Sequence, residues 1–351
     1  MSFIKKPVAR HPSLQENALG LTVRDYEGAM STLCAGCGHD SITAAIVRAF
    51  HELDTPPHMI AKLSGIGCSS KTPTYFVSGA HGFNSAHGRM PAIASGAAAA
   101  NRDLVYIGIS GDGDSLSIGL GQMCHAIRRN VNMLYLIENN GCYGLTKGQF
   151  SASSDIGSRS KRGEPNTQPP IDPVMLALSI GATFVARSFS GDKAQLVPIL
   201  KAGIRHKGFA LVDVISPCVT FNDHEGSTKS YAYTRKHQLP VVNADFVPRA
   251  SEITASLPEG AVTNVTLHDG SVIALRKVAA DYDPTDRATV WSYLHERQRS
   301  GEIPVGLLYL DVGGAEMHQA NRTVSRPLTD VPFEELCPGS AALEKLQRGY
   351  R

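Results

Sequence analysis

Gly111-Asp112-Gly113-Asp114 and Glu138-Asn139-Asn140-Gly141-Cys142-Tyr143-Gly144-Leu145, separated by a helical and then an apolar segment, form the stretch that decides the fold. Leu104-Val105-Tyr106-Ile107-Gly108-Ile109 precedes it and reads as a buried strand. The Gly/Asp turn therefore falls at a strand's carboxyl end, where open α/β sheets hold ligands. A dinucleotide fingerprint needs a third glycine where Leu116 stands, so that reading fails. Asp112 and Asp114 would repel a diphosphate unless a divalent cation lay between them, because carboxylate, amide and phosphate oxygens are the hard ligands Mg²⁺ prefers.

The amide oxygen comes from downstream. A helix over Ser117–Arg129 and a strand over Val131–Ile137 return the chain to the same sheet edge, where Asn139-Asn140 end the strand. If the two strands are parallel neighbours, Asn140 lands beside Asp112. This arrangement resembles the thiamine diphosphate motif, which implies Mg²⁺ held by Asp112, Asn140 and the main-chain carbonyl of Cys142.

Working outward, 351 residues with 42% hydrophobic content are enough for a large core, so an α/β domain with appendages is expected. A formal charge of +2 gives no electrostatic case for nucleic acid. No apolar run is long enough to span a bilayer and no secretory leader is visible, so no membrane association is expected. Seven cysteines without such a leader argue against a disulfide framework and for metal or redox chemistry in the cytoplasm.

Residues 1–28 read as an extended arm able to pack on a partner, since Pro7 and Pro12 break any period. Cys34-Ala35-Gly36-Cys37-Gly38-His39 then precedes an amphipathic helix, whose dipole favours thiolate. Met59–Ser64 is a strand feeding Gly65-Ile66-Gly67-Cys68-Ser69-Ser70-Lys71, and Ala210–Ile215 is another feeding Ser216-Pro217-Cys218. Thioredoxin-like redox would use only Cys34 and Cys37, and a zinc ribbon would need two paired knuckles. Spacing leaves zinc and iron–sulfur comparable; the neighbouring thiamine motif favours a [4Fe–4S] cluster, which can remove electrons singly.

Cys34–His39, Gly65–Ser69, His87-Gly88-Arg89, Gly111–Asp114 and Asn139–Gln149, in that order, resemble the β subunit of 2-oxoacid:ferredoxin oxidoreductases over roughly residues 30 to 235. Ala35 departs from the more usual proline. The resemblance implies an α/β thiamine diphosphate-binding fold, a mainly parallel sheet with helices on both faces, spanning 29–235 and followed by a C-terminal extension over 236–351. It also implies Cys34, Cys37, Cys68 and Cys218 around a [4Fe–4S] cluster. His39, Ile66, Gly67, Cys68, Ser69, His87, Gly111, Gly113, Asp114, Gly144 and Leu145 would line thiamine diphosphate. Cys124 and Cys337 would be packing residues. The implied reaction is coenzyme A-dependent oxidative decarboxylation of a 2-oxoacid, or its reverse, with electrons leaving to ferredoxin. A thiamine enzyme needs an activating Glu that this chain does not show, so an α subunit carrying it and the coenzyme A contacts is implied, in an (αβ)₂ assembly.

Lys71 and Lys147 are candidates for the distal carboxylate of 2-oxoglutarate. Pyruvate specificity, a non-redox thiamine diphosphate decarboxylase or synthase, and a zinc-stabilised assembly protein are the alternatives. From Thr146 to Ile171 the sequence loses its period, reading as a solvated basic loop or as a segment that closes over the site or meets the partner. A hairpin with an Asp269-Gly270 turn and a late strand over Ile303–Asp311 precede a tail expected to be irregular.

Overall fold

The computed structural model describes residues 11–159, 163–247, 262–266, 271–277 and 282–350. In chain order these form α1 (Gly38–Glu52), β1 (Ile60–Ser64), β2 (His81–Asn84), α2 (Met90–Ala100), β3 (Val105–Gly111), α3 (Leu120–Arg128), β4 (Met133–Asn139), β5 (Cys142–Tyr143), β6 (Gln149–Phe150), α4 (Pro173–Ile180), β7 (Phe184–Phe189), α5 (Lys193–Arg205) and β8 (Phe209–Ile215). Then follow α6 (Tyr231–His237), β9 (Gln238–Val247), β10 (Val262–Thr266), β11 (Val272–Lys277), α7 (Arg287–Arg299), β12 (Ile303–Leu310), α8 (Met317–Asn321), α9 (Phe333–Leu336) and α10 (Ser340–Arg348).

β4 and β8 are buried at every position, as apolar strands covered on both faces must be. They sit mid-sheet in the order β10-β11-β9-β12-β7-β8-β4-β3-β1-β2. Every pairing from β7 to β2 is parallel. The step from β3 to β4 runs one way along the sheet and that from β7 to β8 the other, so right-handed crossovers set α3 and α5 on opposite faces. α1 packs on α5, whereas α2, α3, α4 and α7 contact one another in succession. Register then fixes the site. Ser64 pairs with Ile109 and Gly111 with Glu138, so the turns leaving β1, β3 and β4 emerge side by side.

Residue 235 does not divide the sheet. β12 pairs antiparallel with β7 and parallel with β9, so the extension continues the same sheet instead of standing apart. Seven of β12's eight positions are buried, and that apolar surface is what its docking removes from water. β10 and β11 pair antiparallel as expected, while the Asp269-Gly270 turn lies outside the described residues. The tail is not wholly irregular: it ends in α10, whose Leu343 and Leu346 are exposed. Met1–Arg10 also lie outside the description, but the following residues pack on their own chain. Tyr26 is fully buried and donates to the Thr55 carbonyl at 2.9 Å, and Asn17 Nδ2 donates to the His51 carbonyl at 3.1 Å.

Gly306 sits at the β12–β9 register shift with φ 118°, and a Cβ there would lie 2.0 Å from the Val242 carbonyl oxygen. Gly306→Ala is expected to lower the unfolding free energy by about 2–3 kcal/mol through strain and clash, read as a lower urea midpoint. An unchanged midpoint would show that this junction does not hold the extension to the sheet.

Candidate active site

After Gly111 the chain enters a π-helical turn, Gly113–Ile118, closed by Gly119 N donating to the Asp114 carbonyl at 2.8 Å. α3 therefore starts at Leu120, later than the spacing suggests. The wide turn sends its two carboxylates to different tasks. Asp114 accepts from Ser110 Oγ at 2.6 Å and from the Gly88 amide at 2.9 Å, and lies 2.7 Å from His87 Nδ1. A Cβ on Gly65 would lie 1.7 Å from Asp114 Oδ2. Asp114 thus braces the turns after β1 and β2 against β3.

Asp112 is 1% exposed. Its Oδ2 accepts from Ser151 Oγ and, at 2.6 Å, from Ser153 Oγ; its Oδ1 accepts from the Asn140 amide at 3.3 Å. Burial pushes the Asp112 carboxyl above its ordinary range, and the two serine hydroxyls oppose that rise. Asn140 Oδ1 accepts from the Cys142 amide at 3.1 Å, and the Asn140 carbonyl accepts from Asn222 Nδ2 at 2.8 Å. Asp112, Asn140 and Cys142 therefore meet, as parallel neighbouring strand ends require.

These three share one cleft with Ile66, Gly67, Cys68, Ser69, His87, Gly111, Gly113, Asp114, Gly144 and Leu145. Gly67 takes φ 137° with open space where a Cβ would stand, so bare backbone faces the cleft there. Hard oxygen donors beside such a wall suit a cation with a diphosphate. Tyr143 closes the floor, donating from its hydroxyl to the Gly113 carbonyl at 2.8 Å.

His39 is not on the cleft wall. It is fully buried behind Ser69, with Nδ1 2.7 Å from Ser216 Oγ and Nε2 3.3 Å from Ser69 Oγ. Its Nδ1 also lies 3.5 Å from Glu138 Oε2. Burial lowers the His39 pKa to about 4 and drives the Glu138 carboxyl well above its usual range. Burial thus favours the neutral form of each, and His39 is uncharged near neutrality. Glu138 also accepts from Thr72 Oγ1 at 3.0 Å. Lys71 is half-buried on the short 3₁₀ helix Ser69–Thr74, and Lys147 is exposed with φ 81°. Neither lines the cleft.

The cysteine turns converge beside it. The Cys68 and Cys218 sulfurs lie 3.4 and 3.5 Å from where a Cβ on Gly144 would stand, and Thr220 Oγ1 donates to Cys34 Sγ at 3.7 Å. Burial raises the Cys68 thiol above its ordinary range. Contrary to the dipole argument, burial raises the Cys37 thiol to about 12. Cys218 falls to about 6, chiefly through a hydrogen bond from the Cys142 thiol. Among the described residues no three His, Cys, Asp or Glu side chains are arranged to hold a single metal ion. Cys124 is half-buried, and Cys337 is exposed instead of packed.

Sequence reasoning missed Ser151, Ser153, Asn222, Glu138 and the Tyr143 ring. The three serines within Ser151–Ser154 were visible as composition, but nothing in a segment without period says that it folds back onto Asp112.

The model of the thiamine pyrophosphate enzyme C-terminal TPP-binding domain matches residues 65–214. The chain is 43% identical to the 2-oxoacid:ferredoxin oxidoreductase subunit beta of Saccharolobus solfataricus, over 59% of this chain and 67% of that one. It is 39% identical to the 2-oxoglutarate oxidoreductase subunit KorB of Mycobacterium tuberculosis, over 68% and 67%. Among solved structures it resembles a 2-oxoglutarate:ferredoxin oxidoreductase from Magnetococcus marinus with 2-oxoglutarate, coenzyme A and succinyl-CoA bound. That match has a TM-score of 0.70 and 30% identity, covering 89% of this chain and 91% of that one.

His39 carries a pH signature. With its folded pKa lowered to about 4 from 6.5, the unfolded chain takes up a proton that the folded one refuses, so stability falls as pH drops from 6.5 to 4. His39→Gln is expected to flatten that part of the stability–pH curve, measured by urea unfolding of the metal-free chain. Parallel curves for the two proteins would refute the assignment.

Proposed function

The chain belongs to the 2-oxoacid:ferredoxin oxidoreductase β-subunit family, and on that premise we propose that it is the cofactor-holding subunit of a 2-oxoglutarate:ferredoxin oxidoreductase. The reaction joins 2-oxoglutarate and coenzyme A, releases CO₂ and passes two electrons, one at a time, to ferredoxin. The observation that carries this reading is the meeting of Asp112, Asn140 and Cys142 on one glycine-lined cleft wall, with the cysteine turns alongside.

Asp112, Asn140 and the Cys142 carbonyl would hold Mg²⁺, and the Gly67–Ser69 backbone would receive the diphosphate. When bound, thiamine diphosphate supplies the carbon nucleophile and the electron sink for decarboxylation. Cys34, Cys37, Cys68 and Cys218 would hold a [4Fe–4S] cluster. Such a cluster gives each thiolate its own iron, so cysteines from separate turns can share it.

Leu145, on the cleft, is 48% exposed and Ile118, at the end of the π turn, is 49% exposed. An α subunit covering these apolar side chains would exclude water from the cleft and bring the activating Glu and the coenzyme A contacts, giving an (αβ)₂ enzyme. Lys71 and Lys147 would reach the distal carboxylate of 2-oxoglutarate only where that partner extends the cleft across them. No described helix is long and apolar enough to cross a membrane, and we assign the enzyme to the cytoplasm.

The test is anaerobic co-purification with the α subunit, metal analysis, and ferredoxin reduction on 2-oxoglutarate against pyruvate. Iron and faster reduction on 2-oxoglutarate are expected. Faster reduction on pyruvate would reassign the substrate, zinc without thiamine diphosphate would indicate an assembly protein, and thiamine diphosphate without iron a non-redox enzyme. Asp112→Ala is expected to lose thiamine diphosphate retention by more than about tenfold while keeping its iron; retention at the wild-type level would remove Asp112 from the metal site.

A further inference from the structure

Ser151 and Ser153 lie in the segment whose sequence gave no pattern, yet they are 7% and 1% exposed. Both hydroxyls donate to the same carboxylate oxygen, Asp112 Oδ2, the Ser153 bond measuring 2.6 Å. Oδ1, by contrast, accepts from the Asn140 amide at 3.3 Å, a long bond. A carboxylate so divided presents one oxygen saturated by hydroxyls and one open to a cation.

Ser153 Oγ is also 2.9 Å from Asn139 Oδ1, and it has one proton to give. Asp112 Oδ2, the nearer acceptor at 2.6 Å, takes it. Asn139 is itself held: its Nδ2 donates to Asp213 Oδ1 at 3.0 Å, and Asp213 Oδ2 accepts from Arg187 Nε at 2.8 Å. Ser154 supports the same cluster: its Oγ accepts from the Ser151 amide at 2.8 Å and donates to the Gly141 carbonyl at 2.6 Å.

We propose that Ser151 and Ser153 are positioning residues for the metal: by occupying Asp112 Oδ2 they fix the carboxylate in a one-oxygen binding mode, with Oδ1 presented to Mg²⁺ beside Asn140. The inference rests on the functional reading above and gives the unpatterned loop a task in the cleft.

The test uses the co-purified αβ enzyme, stripped of Mg²⁺ and titrated back in saturating thiamine diphosphate, with retained cofactor as the readout. Ser153→Ala is expected to raise the Mg²⁺ concentration for half-saturation about tenfold, the scale of one hydrogen bond to a charged group. Ser153→Thr, which keeps the hydroxyl, is expected within about twofold of wild type on the same scale. Ser158→Ala, in the same segment, is the control and should leave half-saturation unchanged. If Ser153→Ala does not fold, Ser151→Ala carries the same expectation, because it donates to the same oxygen. Wild-type half-saturation in the alanine variants, or an equal rise in Ser158→Ala, would overturn the inference while leaving the functional reading in place. A wild-type enzyme that retains no thiamine diphosphate at any Mg²⁺ concentration would overturn both.

Discussion

A carboxylate taken out of water must find charge or hydrogen bonds where it is put, and Asp112 is taken almost wholly out of water. The hydroxyls and amide around it ease that cost without neutralising it. A cation would complete the balance, and the surrounding structure follows from that demand: a π turn to aim the side chain, glycines to let backbone and ligand come near, and a neighbouring strand end to bring an amide oxygen. Asp114, two residues on, solves the same problem differently, spending its acceptors on Ser110 and Gly88 and holding His87.

Behind the cleft lies a second buried layer built on the opposite principle. Burial favours the neutral forms of Glu138 and His39, and Thr72, Ser69 and Ser216 hydrogen-bond to them. The layer reaches from the helix that follows Cys37 to the strand that ends at Asn139. It therefore joins the cysteine turns to the cleft through polar contacts that burial makes costly to break.

The strands flanking the cleft were legible because their apolar runs are uninterrupted, and Asp112 and Asn140 because both stand at strand ends where period stops and glycine starts. The extension's place in the sheet was not legible. Nothing in the residues of β9 or β12 says which edge they join, since parallel and antiparallel partners ask for the same apolar face. His39 was misplaced for a similar reason: a histidine beside glycine looks the same whether it faces ligand or core. Ser151 and Ser153 could be counted but not located, because a loop's path is set by where its hydrogen bonds close and not by its own pattern.

Cys142 belongs to two neighbourhoods at once. Its amide steadies Asn140, while its thiol leans on Cys218. The sulfur side and the oxygen side therefore cannot drift independently: a shift of one tugs the main chain of the other. With the cluster and thiamine diphosphate bound as proposed, that shared span would hold their separation nearly constant, the geometry that favours fast, low-reorganisation passage of an electron from one to the other.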